Sequence, residues 1–157
     1  MGDKKPIPLV QSEFIGNGQL SPDGKWLAYN SRDFGRLEVY IVAFAPGSGK
    51  PPAGKWQISS PGGSQPRWRA DTKELFYLAP DRKLMAVDVR ATATSFDRGT
   101  PKALFEVPSL MRVNEGNVFG YAPSPDGKRF LFTTAAGENG EAPPLTVVVN
   151  WLAAVKK

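Results

Sequence analysis

Five side chains that form directional hydrogen bonds lie just before the tight turns of this sequence, where a ligand could reach them. They are Asn17, Gln19, Gln65, Arg67 and Tyr121. Amides, a guanidinium and a phenol recognise polar or anionic groups, whereas none of them is a usual nucleophile. Arg67, and Arg69 two residues later, could hold an anion, pair with a carboxylate or stack on an aromatic ring. These residue types favour binding over catalysis.

The residues that usually perform acid-base and nucleophilic chemistry are missing. The chain has no histidine and no cysteine, which removes the usual general base near neutral pH, the proton relay of a serine triad, thiolate nucleophiles and disulfides. The turn aspartates occur singly, without the neighbouring acidic residues that a Ca²⁺ site needs. We therefore expect no enzymatic activity, no metal and no other cofactor.

The basic character of the chain is spread along it. The net charge is +5 and the sequence pI is about 9.6, but no run of five basic residues occurs. Scattered charges are typical of a solvated surface, so a nucleic-acid partner is not expected.

The tryptophans have two interpretations. They could form a platform on which sugar rings stack, but packing between sheets is the favoured role for such large rings. The four residues are Trp26, Trp56, Trp68 and Trp151.

One turn motif recurs and indicates the architecture. Ser21-Pro22-Asp23-Gly24 reappears as Ser124-Pro125-Asp126-Gly127, and a degenerate copy is centred on Asp71. The three aspartates lie roughly fifty residues apart, which is the length of a propeller blade with its loops. Proline presets φ at the first central position of a turn, and aspartate and glycine suit the later positions. Each copy therefore predicts a hairpin.

The residues after each turn align in three apolar columns. The columns are Leu27, Leu75 and Phe130; Ala28, Phe76 and Leu131; and Tyr29, Tyr77 and Phe132. Apolar side chains at consecutive positions are typical of a strand that is covered on both faces. Blades stacked around an axis supply that double cover. The fold class predicted is all-β, a β-propeller fragment of about three four-stranded antiparallel blades.

The strand order predicted for this fragment is D-ABCD-ABCD-ABC. Strand A precedes each turn and strand B follows it. Strand C is predicted at 37–44, 84–89 and 145–151, and strand D at 56–59 and 103–107. The blades would cover about 17–60, 64–107 and 117–152 of a single unit, 1–157. A further D-like strand at 6–11 would close the third blade, either of its own chain or of a second copy, and leave no open sheet edge.

These repeats resemble those of TolB-like β-propellers, also described as WD40-like Pro-Asp repeats. The resemblance rests on the turns at 21–25 and 124–128, the strands at 26–29 and 129–132, and the segment 62–69. It looks closest to the C-terminal propeller of acidobacterial serine/threonine protein kinases, through residues 74–78, 83–87 and 149–151. The sequence departs from the family at Thr72 and Arg82, where the repeats often have glycine, which leaves open how tight the turns of the middle blade are.

That resemblance implies a longer parent, with a kinase domain and a membrane-spanning helix before an extracytoplasmic propeller. No kinase motif set is present, so Asp33-Phe34-Gly35 is interpreted as a chance match in a hairpin turn. No signal peptide is recognisable, and no apolar stretch approaches the roughly 18 residues of a membrane span. We expect no membrane insertion of this segment.

Three blades do not close a ring by themselves, because known propellers have roughly four to eight. The function expected is a non-catalytic module for ligand or protein binding, which pairs with a second copy into a six-bladed homodimer and takes a peptide or a glycan. The alternative is a purely structural assembly fragment without a ligand. A propeller enzyme of the lyase or lactonase type stands third, because histidine is absent.

Overall fold

The computed structural model describes residues 8–10, 12, 14–45, 52, 54–92, 95–107, 119–133 and 146–149, the last four as backbone only. All regular elements in these ranges are β-strands, arranged as three antiparallel sheets that follow one another along the chain. No helix in the same ranges could span a membrane. The predicted all-β class is confirmed.

Sheet 1 is a four-stranded meander in the order of the sequence. It contains β1 (Ile15–Leu20), β2 (Trp26–Ser31), β3 (Glu38–Ala43) and β4 (Lys55–Gln57). The register of β1 against β2 shifts between Gly16 and Gln19, which is a bulge that adds twist to the inner strand. These strands correspond to A, B, C and D of the predicted first blade.

Sheet 2 has one strand more than the sequence predicts. It contains β5 (Ser64–Trp68), β6 (Glu74–Leu78), β7 (Lys83–Ala91), β8 (Phe96–Arg98) and β9 (Lys102–Glu106). The nine-residue β7 changes partner along its length, because its first half pairs with β9 and its last three residues pair with β8. The predicted D strand is therefore β9, and β8 is a short addition.

Sheet 3 is described as three strands, namely β10 (Tyr121–Pro123), β11 (Arg129–Phe132) and β12 (Thr146–Val149). The strand predicted at 6–11 to complete it falls partly outside the described residues. Residues 8–10 are in irregular conformation, and Val10 packs against a cluster on sheet 1. Closure of the third blade by this segment stays a prediction.

Two apolar cores join the sheets face to face. The core between sheets 1 and 2 contains Trp26, Ala28, Ile41, Leu75 and Tyr77, among others. The core between sheets 2 and 3 is centred on Phe76 and Phe130, whose rings meet edge to face at 5.0 Å. The two faces of β6 therefore serve different cores, which explains its consecutive apolar residues.

The three turns share one backbone hydrogen bond, although the middle turn differs in sequence from the other two. In the first, Gly24 N donates to Ser21 O at 2.8 Å, and Ser21 Oγ donates to the Asp23 carboxylate at 2.5 Å. The third copy repeats both contacts with Gly127, Ser124 and Asp126. A hydroxyl bonded to the carboxylate locks the turn, so these aspartates have a structural role.

The middle turn uses an arginine where the others use serine. Arg69 donates to both oxygens of Asp71 at 2.8 Å and to Glu74 at 2.8 Å. Thr72 N donates to Arg69 O at 3.0 Å, as the glycine N does in the other two turns. The middle hairpin is thus as tight as its neighbours.

Thr72 and Arg82, the two departures from the repeat pattern, both adopt positive φ. Their values are 62° and 66°, against 71° for Gly24 and 70° for Gly127. A β-branched residue in this region is strained, because Cβ crowds the backbone carbonyl. The hydrogen bonds of the middle turn hold Thr72 there.

Replacing Thr72 by glycine is expected to raise the free energy of unfolding by about 0.5–1 kcal/mol, since relief of the left-handed strain exceeds the entropy that glycine adds to the unfolded chain. Urea unfolding measures this change in stability, provided that the free energy of unfolding depends on urea concentration with the same slope in both proteins. The matched control is Gly24→Ala, which introduces the same strain and is expected to lower stability. A Thr72→Gly protein less stable than the parent would contradict this explanation.

Candidate ligand-binding site

The five residues predicted for ligand contact lie on the innermost strands or beside them, where β1 contacts β5 and β5 contacts β10. Three of them are buried, with Asn17 5%, Gln65 2% and Tyr121 2% exposed. Gln19 and Arg67 are partly exposed. Gln19 and Arg67 are therefore the two residues of this group that a ligand could reach.

Gln65 links sheet 2 to sheet 3. Its side-chain Oε1 accepts a hydrogen bond from Gly120 N at 2.7 Å, and its backbone oxygen accepts one from the Tyr121 hydroxyl at 2.9 Å. Burial raises the pKa of the Tyr121 phenol well above its ordinary value, so the hydroxyl keeps its proton. Both residues act here as ties between sheets.

Gln19 makes the corresponding link between sheets 1 and 2. Its Oε1 accepts from Trp68 N at 3.0 Å, and its backbone oxygen accepts from Trp68 Nε1 at 3.3 Å. The strands β1 and β5 thus each extend one glutamine towards the backbone of the next sheet.

Asn17 occupies the position in sheet 1 that Gln65 occupies in sheet 2. Both have positive φ, 47° and 54°, beside the bulge of their strand. Asn17 is one methylene shorter, and its Nδ2 is buried without a partner among the described residues. Asn30 pairs with Gly16 across the sheet, and its Nδ2 and Oδ1 are likewise buried without a partner among the described residues.

Arg67 is the one charged residue of the five, and its charge is unmatched within the described residues. Its Nε donates to Tyr121 O at 3.2 Å, and its Cζ lies 3.6 Å from the centroid of the Phe119 ring. No carboxylate in the described part of the chain forms an ion pair with it. Burial lowers the pKa of this guanidinium from its ordinary value, which is the effect of desolvating an uncompensated cation. A carboxylate ligand would supply the missing partner.

Arg69 has no such capacity. Asp71 and Glu74 already accept hydrogen bonds from its guanidinium, and the bond that it donates to Asp71 raises its pKa. The sequence allows each arginine to hold an anion, pair with a carboxylate or stack on a ring. In the structure, Arg69 pairs with carboxylates and Arg67 stacks on a ring. Phe119 was not predicted, because it lies 52 residues from Arg67 in the sequence and only the fold brings the two together.

The described tryptophans pack between sheets. Trp26 lies 5.6 Å from Trp56 and 5.1 Å from Phe96 between ring centroids, and Trp68 is buried in the same core. Trp151 lies outside the described residues. The packing interpretation holds for the three that are described.

The Asp33-Phe34-Gly35 triplet forms the tip of the β2–β3 hairpin. Partial burial raises the pKa of Asp33, but hydrogen bonds from Lys55, Ser12 and Ser31 outweigh it and lower the pKa to about 2. A carboxylate so held is a fixed anchor for the loop. No group of acidic residues that could hold a metal occurs in the described ranges.

No family model and no curated protein matches this sequence. Among solved structures, the chain is similar to TolB from Acinetobacter baumannii, with a TM-score of 0.58 and 16% identity over 88% of this chain and 30% of that one. It is more weakly similar to a putative 6-phosphogluconolactonase from Bacteroides uniformis ATCC 8492, with a TM-score of 0.46 and 18% identity over 85% of this chain and 39% of that one.

The similarity to TolB shows a TolB-like β-propeller fold. The chain spans less than a third of that neighbour's length, so it corresponds to part of such a propeller. The resemblance to kinase-associated propellers stays a prediction.

Proposed function

We propose that this chain is a non-catalytic propeller module that binds a carboxylate-bearing ligand at its inner edge. The observation that carries this function is the unmatched guanidinium of Arg67, which the Tyr121 carbonyl and the Phe119 ring hold in place. An arginine fixed in this way loses little entropy on binding, and its free nitrogens match the two oxygens of a carboxylate. The lack of histidine in the sequence agrees with a role in binding.

Two sources could provide that carboxylate, an acidic peptide or a glycan that contains uronic acid. Screening both on arrays, one of glutamate-containing peptides and one of uronic-acid oligosaccharides, separates them. We then expect Arg67→Gln to weaken the hits tenfold or more, because hydrogen bonds to a charged group contribute about 1.5–3 kcal/mol.

The matched control is Arg98→Gln, which removes an exposed arginine at the end of β8. It is expected to leave affinity unchanged. Equal binding by wild type and Arg67→Gln would overturn the proposal, and so would the absence of hits on both arrays. If Arg67→Gln and Arg98→Gln both lost binding, the ligand would respond to the overall positive charge of the chain. That result would also contradict a specific site at Arg67.

We also propose that two copies assemble into a six-bladed ring. Within the chain, residues of the Leu27 and Tyr29 columns face the preceding sheet, as Leu75 and Tyr77 do in sheet 2 and Phe130 and Phe132 do in sheet 3. The Ala28 column faces the following sheet. Ala28 and Phe76 are 0% exposed there, whereas Leu131 in sheet 3 is 36% exposed.

On the far face of sheet 3, Leu131 is therefore less covered than the equivalent residues of sheets 1 and 2. The complementary face of sheet 1 consists of Leu27, Tyr29, Tyr40 and Val42, against which Val10 packs. Its two tyrosine hydroxyls are buried without a partner among the described residues. A second copy related by a twofold axis would join sheet 3 of each chain to sheet 1 of the other, closing the ring.

Solution mass tests this assembly. Light scattering is expected to give twice the 17.1 kDa of the chain, and Leu131→Arg is expected to give monomers. The control is Lys128→Glu, an exposed change on the neighbouring turn. A dispersed monomer for the unmodified chain at all concentrations would overturn the dimer and leave the Arg67 site untouched.

A further inference from the structure

Two adjoining cavities form a groove across the junction of sheets 1 and 2, away from Arg67. Each has a volume of about 300 Å³, and both are lined by Gly62 and Pro80. The first extends towards the β2–β3 hairpin, with Arg32 and Arg36 in its wall. The second extends under residues 60–62 to the side chains of Tyr77, Met85 and Ala103.

A buried acid fixes the wall between these cavities and the hairpin. The Glu38 carboxylate accepts hydrogen bonds from Gly62 N at 2.9 Å, from the Ser59 hydroxyl and from Arg36 Nε at 2.9 Å. Gly63 N donates to Leu37 O at 2.9 Å. The hairpin and the loop that leads into sheet 2 are thus held in one arrangement, and the groove is preformed.

The two glycines of this loop allow a close approach that other residues would block. A Cβ at Gly62 would lie 2.6 Å from Pro80 Cγ, and one at Gly63 would lie 2.6 Å from Ser59 Cβ. Gly62 also has a φ of +88°. The missing Cβ atoms therefore let Pro80 and Ser59 pack directly against this loop, which keeps the wall shared by the two cavities compact.

The charges along the groove are uneven. Arg32 and Arg36 are the charged residues that line the first cavity. Arg36 forms an ion pair with Glu38. Arg32 has no carboxylate partner in the described ranges, and its Cζ lies 5.8 Å from the centroid of the Phe14 ring. In the second cavity Lys83 pairs with Asp81 at 2.8 Å, which leaves that end neutral and largely apolar.

An exposed aromatic ring stands beside the arginine end. Phe34 is 86% exposed at the hairpin tip, between the anchored Asp33 and Gly35, whose φ is +83°. Aromatic residues and arginine are enriched at protein interfaces, so an exposed phenylalanine on an anchored loop close to Arg32 is typical of a contact surface.

We propose that this groove binds an extended peptide that carries an acidic side chain at the Arg32 end and an apolar side chain at the Met85 end. It is a second site, separate from Arg67 and from the faces proposed for assembly. The acid would pair with Arg32, and the apolar residue would fill the second cavity against Tyr77 and Met85. Because the charged residues that line the first cavity are arginines, we expect an acidic peptide to bind more tightly than a basic or neutral one.

The test uses a fluorescent pool of heptapeptides, each with one glutamate and one leucine separated by one to three residues. A matched pool has glutamine in place of glutamate. We expect anisotropy to show binding of the first pool and at least tenfold weaker binding of the second. Arg32→Gln is expected to cause a similar loss, whereas Arg129→Gln, an exposed arginine on sheet 3, is expected to have no effect.

A second variant tests the apolar end without changing charge. Ala103 is exposed in β9 and lines the second cavity, so Ala103→Trp is expected to fill the cavity and weaken binding at least fivefold. Amide NMR gives a direct location, since the Gly62 and Gly63 signals are expected to shift with peptide while that of Gly120 stays in place.

Two results would overturn the proposal that this groove binds a peptide. One is equal affinity for the glutamate and glutamine pools, or no binding of either. The other is binding that Arg67→Gln abolishes and Arg32→Gln leaves intact, which would place the peptide at the inner edge and support the proposed function instead. Binding that survives Arg67→Gln and fails with Arg32→Gln supports the groove.

Discussion

Replacement of Phe76 by alanine is expected to lower the free energy of unfolding by about 3–5 kcal/mol, the usual cost of deleting a buried ring and leaving a cavity. Phe76 is fully buried in β6 and meets Phe130 of sheet 3 edge to face. That aromatic contact is lost together with the buried area. Because native domains are stable by only about 5–15 kcal/mol, the variant would be close to unfolding.

Urea unfolding followed by tryptophan fluorescence measures the change. The matched control is Phe34→Ala, which removes the same side chain from an exposed loop and is expected to change stability by less than about 0.5 kcal/mol. A loss below about 1 kcal/mol for Phe76→Ala would mean that sheets 2 and 3 do not pack as described.

The second large effect is expected from Glu38→Ala. This change leaves the Gly62 N–H without its acceptor and takes from the Ser59 hydroxyl one of its two hydrogen bonds. A buried donor without a partner costs about 1–3 kcal/mol. We expect a total loss of about 3 kcal/mol in thermal or urea unfolding.

Glu38→Gln provides the graded comparison, since the amide keeps one acceptor oxygen and is expected to lose less. Glu106→Ala removes an exposed glutamate from β9 and is expected to be nearly neutral. If Glu38→Ala were as neutral as Glu106→Ala, the hairpin and the 59–62 loop would not depend on this carboxylate.

The sequence predicts most of the fold because its signals are local. The turns at Asp23, Asp71 and Asp126 specify hairpins from four or five adjacent residues, and the apolar columns after them identify strands covered on two faces. The strand β8 was missed because it has three residues and exists only where the long β7 extends past β9. Its pairing depends on strand length, which no local motif encodes.

The site was less predictable, since it depends on contacts between sheets. Polar residues beside a turn are usually exposed, yet Gln65 and Tyr121 are buried and bonded to each other across a sheet boundary. Arg67 was identified from its residue type alone. Within the described residues it has no carboxylate partner, because the fold pairs both Asp71 and Glu74 with Arg69.

The glutamine ties of the inner strands affect how the molecule comes apart. Stacked repeats that meet only through apolar faces can detach one after another, as in a linear array. Here Gln19 and Gln65 each bond to the backbone of the next sheet, so detaching one sheet also breaks hydrogen bonds of its neighbour. We therefore expect the three sheets to unfold more cooperatively than apolar contacts alone would make them.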